Sequence, residues 1–508
     1  MSISAPRSHS FRHVARVVIE FTTPFHVGTG EGGYGADALV VTDANGLPTI
    51  PGSSLAGALR AAFLAHTDGR ARTDSLFGFQ EGDQGCGSRL SLTWAVIHDR
   101  NDQPVEGLRA RSCLNSDPVL NEALGLRIRD HVRLSHRGAA EHRGKFDDSP
   151  VAAGHRFTFE LELVSQQQDD PDWQALLDTL ASQSLRLGGK SRRGYGAFRV
   201  ERIAGRTFNL SDAADFAAYA AHPASLSQPA PALTTLSLPA TRNAPNSVTI
   251  TLRLRPRGYW MFGGGEDTPP PDADPADMAP VRDERIVWQG STGGVQEKLL
   301  LLPGSAIKGA LAHRVAFHDN RLRQRFADDC AVAGNCPNDA GGHRVARAAL
   351  ERITGINNPA VRDLFGYVAE GKGTDPEGQA ARGRVLIDDV FWGAPPPPQQ
   401  KVPHVSIDRF TGGASDSKLF SERPLWQGEF PELKLTVLDA DQIPTTTRQA
   451  LKAALEDLAQ GRLALGAGAG RGLGFFEPAP GGMPAVECSA GDDWFNQSPQ
   501  PQPSHAPA

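Results

Sequence analysis

The chain repeats itself, and the repeat limits what it can fold into. Residues 48–63 read PTIPGSSLAGALRAAF and residues 300–317 read LLLPGSAIKGALAHRVAF, sharing PGS-x-[LI]-x-GAL. Further blocks recur in the same order. FHVGTGEGG (25–33) pairs with WMFGGGED (260–267), DSLFGF (74–79) with RDLFGY (362–367), and SRLSLTWAVI (88–97) with GRVLIDDVFW (383–392). KFDDSPVAAGHRFTFELEL (145–163) pairs with LFSERPLWQGEFPELKLTV (419–437), and LRLGGKSRRGYGAFRV (185–200) with LALGAGAGRGLGFFEP (463–478). Such a series over 508 residues means one domain present twice in tandem. The expected boundaries are a first domain over 1–203, a Pro/Ser/Ala-rich linker over 204–245, a second domain over 246–478, and a disordered tail over 479–508.

Within the first copy, VARVVIEFT (14–22) reads as a strand bounded by Pro24 and Gly28. After PGSS, Leu55, Ala58, Leu59, Ala62 and Phe63 fall at helical spacing, with Ser53 or Ser54 as the expected N-cap. Residues 89–97 and 156–164 read as strands, 171–184 as a helix, and 196–203 as the last strand. The second copy gives strands near 247–255, 383–391, 432–438 and 474–477, with helices near 305–318 and 446–460. The order β-α-β-β-α-β predicts an α+β chain of two ferredoxin-like (RRM-like) domains with hairpin insertions.

Hydrophobic residues at 39% suffice for a core, and no run of eighteen apolar residues exists to span a membrane. The first twenty residues lack the apolar core of a secretory signal, and five cysteines make no disulfide scaffold, so the expected location is the cytoplasm. A net charge of −6 means that nucleic-acid binding must rest on local patches. Only nine of the 52 basic residues are Lys; Arg forks suit phosphates and stack on bases, although GC-rich codons produce the same bias.

The Gly-rich runs are the clearest patches. Lys190, Arg192 and Arg193 sit among glycines that admit close approach of a polyanion, and Arg471 stands at the matched place in the second copy. The alternative is a turn that needs left-handed backbone. No GxxxxGK[ST] motif is present, so a nucleotide P-loop is unsupported. The PGS helix starts, with Ser53, Ser54, Ser305 and Lys308, offer free N–H groups to a phosphate, or are plain helix caps. In the insertion 318–360 of the second copy, His318, Cys330, Cys336 and His343 have the ligand types of a structural Zn2+ site; two buried thiols are the alternative.

HVGTG, IPGSSLAGALR, LFG and GGKSRRGYGAF together resemble the RAMP superfamily of CRISPR-associated proteins. IDRFTGGASDSKLFSERPLWQGEF (407–430) is especially similar to the repeated backbone subunit of type III (Csm/Cmr) effector complexes. The resemblance covers roughly 14–203 and 247–478 and implies a fusion of two such subunits, as in types III-D and III-E. It implies crRNA, complementary target RNA and other CRISPR effector subunits as partners, with no membrane role. It also implies target cleavage by an acid in the loop before the PGS helix. Asp37 takes that place fourteen residues before Pro51, and Asp283 takes it in the second copy, where Asp277 and Glu284 compete. The reaction would be attack of a ribose 2′-OH on the adjacent phosphate, with Mg2+ or Mn2+ as the expected ion. The family's protruding hairpin corresponds to the segment between 130 and 150, where His136 stands in place of Arg409. Three alternatives remain: a silent structural subunit, a guide-processing endoribonuclease using His26 or His136, and a metalloenzyme built on the Cys/His cluster.

Overall fold

The computed structural model describes residues 10–30, 39–67, 69–135, 138–241, 243–265, 274–326, 353–368, 380–393 and 395–498. In the first copy, strand Phe11–Phe21 lies at the centre of an antiparallel sheet. Arg156–Ser165 pairs on one side and Phe198–Asn209 on the other, and Leu90–Leu92 and Val96–Ile97 extend the sheet beyond Arg156–Ser165. In element order this is 4-1-3-2, the ferredoxin-like arrangement. Helix Gly52–His66 buries Leu55, Leu59 and Phe63, one residue every turn, and packs beside helix Pro171–Leu180. The second helix starts at Asp170, whose side chain accepts from the Asp172 N–H, with Pro171 in the first position, where a missing N–H costs nothing.

The second copy repeats the order. Val248–Leu252 pairs with Leu433–Val437, which pairs in turn with Val385–Ile387. Helices Gly304–Leu322 and Thr445–Ala459 pack on this sheet. The two copies are therefore tandem ferredoxin-like units.

Two expectations are corrected. The segment 204–245 is not a free linker. Strand Phe198–Asn209 runs well into it, helix Ala213–Ala220 follows, and Thr234–Thr235 returns to pair with the same strand. Phe208 and Leu233 pack on Val14, and the Arg16 guanidinium collects the Leu226, Gln228, Pro223 and Ser225 carbonyls. An arginine fork that satisfies carbonyls can fix a Pro-rich chain with no repeating hydrogen bonds of its own. The tail is likewise ordered as far as 498. Val486–Cys488 pairs with the central strand of the second sheet, and Trp494 and Phe495 are buried in its core. Trp494 lies 5.0 Å below the guanidinium of Arg448, which also donates to the Trp494 carbonyl. Replacing Trp494 with Ala should cost about 3 kcal/mol or more, as for other buried aromatics. Urea unfolding would read this as a lowered midpoint, and an unchanged midpoint would count against the docked tail.

The two copies meet along the strand Arg282–Gln289 of the second. Ile286 N–H donates to Ala153 at 2.8 Å, Trp288 Nε1 donates to the Gly154 carbonyl at 2.7 Å, and Arg156 stacks 4.3 Å over the Trp288 ring. Gly154 has φ +90, and a Cβ there would stand 1.9 Å from the Ile286 carbonyl. Only glycine lets the second copy dock this closely.

Candidate nucleic-acid interface

Each copy raises one long hairpin, Arg129–Leu134 with Ala140–Asp148 in the first and Val402–Ile407 with Ala414–Glu422 in the second. Their registers pair His131 with Phe146 and His404 with Phe420. In both, imidazole and phenyl rings stack, at 5.0 and 4.9 Å between centroids. Two residues past the Phe comes a fully buried carboxylate, Asp148 or Glu422. His131 Nε2 lies 3.3 Å from Asp148, and His404 Nε2 lies 3.1 Å from Glu422. The Gly-rich run supplies the cation, Lys190 on Asp148 and Arg471 on Glu422. Arg193 then lies 5.2 Å over Phe146, and Arg471 lies 5.5 Å over Phe420.

The same cluster of histidine, phenylalanine, carboxylate and cation thus roots both hairpins. Burial alone would push the Asp148 carboxyl up, but hydrogen bonds from His131 and Lys190 outweigh it and hold the pKa at about 2. Lys190 itself has φ +57, where the matched residue of the second copy is Gly468. Its ion pair with a buried acid holds a conformation that lysine otherwise avoids.

Beyond these roots the arms expose apolar side chains, Val132 and Leu134 in the first and Val405, Ile407 and Leu419 in the second. At the second tip Asp408 accepts N–H groups from Phe410 and Thr411, which turns Phe410 fully outward beside exposed Arg409. Stacked rings with guanidinium groups at the root and apolar side chains along the arms suit single-stranded or splayed nucleic acid, whose bases need flat partners.

The remaining expected residues are distributed as follows. Asp37 and His136 lie outside the described residues, as do Cys330, Cys336 and His343. Arg192 is half-buried and donates through Nε to the Gly383 carbonyl of the second copy at 2.6 Å. Neither Ser53 nor Ser54 is a cap: the helix begins at Pro51 with no side-chain capping bond, and exposed Ser53 lies inside the first turn. The reason is close packing. A Cβ on Gly52 would stand 2.5 Å from the Leu92 carbonyl, so the start abuts the neighbouring strand. Ser305 is half-buried, and Lys308 donates to the Phe365 carbonyl at 3.0 Å. His26 is buried, which removes it as an open general base.

Asp283 is not an open loop acid. It lies on strand Arg282–Gln289, buried, with Oδ2 bound by Arg129 of the first copy and Oδ1 accepting from the Glu284 N–H. The same Arg129 binds Asp389 at 2.6 Å, and Asp389 accepts the Gly304 N–H at 2.8 Å. Burial works against the charge of Arg129, but Asp283 and Asp389 together hold it firmly protonated. Asp389 is pushed upward, first by burial and also by the second carboxylate beside it. These residues do not fit a divalent ion, because a guanidinium already occupies the place such an ion would take. Among the described residues, no cluster of three or more His, Cys, Asp or Glu side chains could hold a metal.

His318 Nε2 lies 2.7 Å from Asp457, while its Nδ1 is buried without a partner among the described residues. A carboxylate behind one ring nitrogen is how metal-binding imidazoles are commonly oriented, so this ring fits a zinc ligand through Nδ1. The other three expected ligands lie outside the described residues.

The sequence reading passed over Asp148 and Glu422. The signal was present in the matched blocks KFDD and LFSE, where an acid stands two residues after the Phe in both copies.

The family model for the RAMP superfamily matches residues 18–199 and again 260–477, together most of the chain and once for each structural copy. No curated protein matches the chain.

Proposed function

The chain belongs to the RAMP superfamily, whose members bind RNA and act in CRISPR complexes, and from that premise we propose that it is a crRNA-binding backbone subunit of a type III effector complex. The observation that carries this reading is the twice-built hairpin root, in which His131, Phe146 and Arg193 recur as His404, Phe420 and Arg471. Two equal stacking platforms in tandem suit one strand contacted at two equivalent places. Cleavage of the guide-paired target belongs to the loop that carries Asp37. The burial of Asp283 favours a second copy that is silent in cleavage.

Purification from the native host should yield RNA carrying CRISPR repeat sequence, with affinity that falls as salt rises through counterion release. Bound RNA without repeat sequence, or affinity indifferent to salt, would defeat the reading. Arg193 is exposed, so Arg193→Ala should leave the fold intact and weaken RNA binding about tenfold, the order expected for one lost stacking contact. A zinc ion held by His318, Cys330, Cys336 and His343 is proposed with it. Metal analysis should return about one zinc per chain, lost on joint replacement of Cys330 and Cys336 by Ser.

A further inference from the structure

Where the copies meet, a cleft of about 530 Å3 opens between the Gly-rich loop of the first and a short hairpin of the second. Its basic lining is Arg192 from the first copy and Arg362, Arg382 and Arg384 from the second, against two carboxylates, Asp363 and Asp439. Arg362 lies on helix Pro359–Phe365, Arg382 ends the hairpin Gly366–Val368 with Ala380–Arg382, and Arg384 follows it across Gly383. We propose that this cleft is a phosphate-binding site that seats a phosphodiester of the RNA as the strand crosses from one copy to the other. The proposal rests on the RNA-binding reading above and adds to it a site that belongs to the junction alone.

Three observations support it. The first is unspent charge. Arg382 and Arg384 have no side-chain hydrogen bond or ion pair among the described residues. Asp363 is engaged by the Thr447 hydroxyl at 3.3 Å, and Arg362 lies 3.9 Å over the Tyr367 ring.

The second is mutual repulsion. Burial, with Arg382 and Arg186 adding to it and the Asp439 carboxylate of the cleft working against it, lowers Arg192 to about 10. Burial, with Arg193 and Arg192 adding to it, lowers Lys308 to about 8. Cations held this close destabilise one another, and a bound anion relieves them all. Arg193 at the root of the first hairpin and Arg192 in the cleft are sequence neighbours, and both act on Lys308.

The third is that the site occurs once although the domain occurs twice. Aligned through the repeat, Arg192 stands where the second copy has Gly470, Arg382 where the first has Gly87, and Arg362 where the first has Asp74. Only Arg384 has a basic counterpart, Arg89, and that residue is neutralised by Asp170 and Asp172. The fold therefore does not require this charge. A cavity of this size holds a nucleotide rather than a bare ion.

The test compares wild type with Arg382→Ala/Arg384→Ala, the first exposed and the second half-buried with no side-chain bond among the described residues to lose, in binding a single-stranded RNA long enough to contact both hairpins. The double variant should bind at least about tenfold more weakly. The slope of log affinity against log salt should fall by roughly one to one and a half, the expectation for two lost contacts on a single strand. Equal affinity and equal slope would overturn the proposal while leaving the RNA-binding reading intact. Wild type that binds no RNA at all would overturn that reading instead. Adenosine monophosphate, titrated without RNA, separates the sources of phosphate. Saturable binding of the nucleotide that the double variant loses, with RNA affinity unchanged, would assign the cleft to a free nucleotide and overturn the assignment to RNA.

Discussion

Replacing Arg129 with Ala should lower the melting temperature on the order of ten degrees and split the unfolding of the two copies. The side chain lies at the junction with Asp283 on one side and Asp389 on the other. Its removal leaves two buried carboxylates facing each other with no cation between them. Breaking a buried pair in this way costs about 3–5 kcal/mol, chiefly because the remaining charge cannot reach water. The junction has further bonds, including the two-pronged contact of Arg186 on Asp388 at 3.0 and 3.1 Å, so each copy should stay folded while its hold on the other weakens. Asp389→Asn should cost less, because the amide oxygen still accepts the Gly304 N–H and Arg129 keeps Asp283. Calorimetry would distinguish the two variants. An Arg129→Ala protein with the wild-type profile would remove this cluster from any role in joining the copies.

That cluster also shows why part of the molecule was hidden in the sequence. The repeat, the β-α-β-β-α-β order and the Gly-rich runs are local patterns, and local patterns survive in a linear string. Leu55, Leu59 and Phe63 announce a buried helix face at any distance from their partners. The pairing of Arg129 with Asp283 joins residues 154 positions apart in different copies, and neither flanking stretch signals it. Composition misled in two places for one physical reason. Pro-rich segments form no ladder of their own, so the linker read as loose, yet Arg16 holds its carbonyls from outside. In the tail, Trp494 and Phe495 are the only bulky apolar pair in a run of Gly, Pro and Ser, and they find the core that the preceding strands leave open. The hairpin root is legible in the sequence, because its buried acid stands at the same offset from Phe146 and Phe420.

A complex that cuts paired target RNA should lose its cut when Asp37 is replaced by Ala and keep it when Asp283 is replaced by Asn. The two acids hold matched places in the repeat, and the surroundings of Asp283 decide its part. The reaction proposed for the loop is attack of a ribose 2′-OH on the neighbouring phosphate, which needs a group able to approach the hydroxyl and help to remove its proton. Asp283 cannot make that approach, because both of its oxygens are already bound, by the Arg129 guanidinium and by the Glu284 N–H, and a strand holds it under the first copy. Freeing it would break the junction cluster, so its replacement should register as lost stability rather than lost cutting. Loss of a positioned proton-transfer group typically costs about 10²–10⁴ in rate, so the product of Asp37→Ala should fall by at least about a hundredfold. Replacing the ribose before the scissile phosphate by deoxyribose should stop the same cut in wild type, since the nucleophile is then missing. Two cuts in the wild-type complex, with one lost in Asp283→Asn, would mean that the ion pair opens when RNA binds and that the second copy is active after all. Cutting that survives Asp37→Ala unchanged would place the nuclease elsewhere in the complex and leave this chain as a scaffold for the guide.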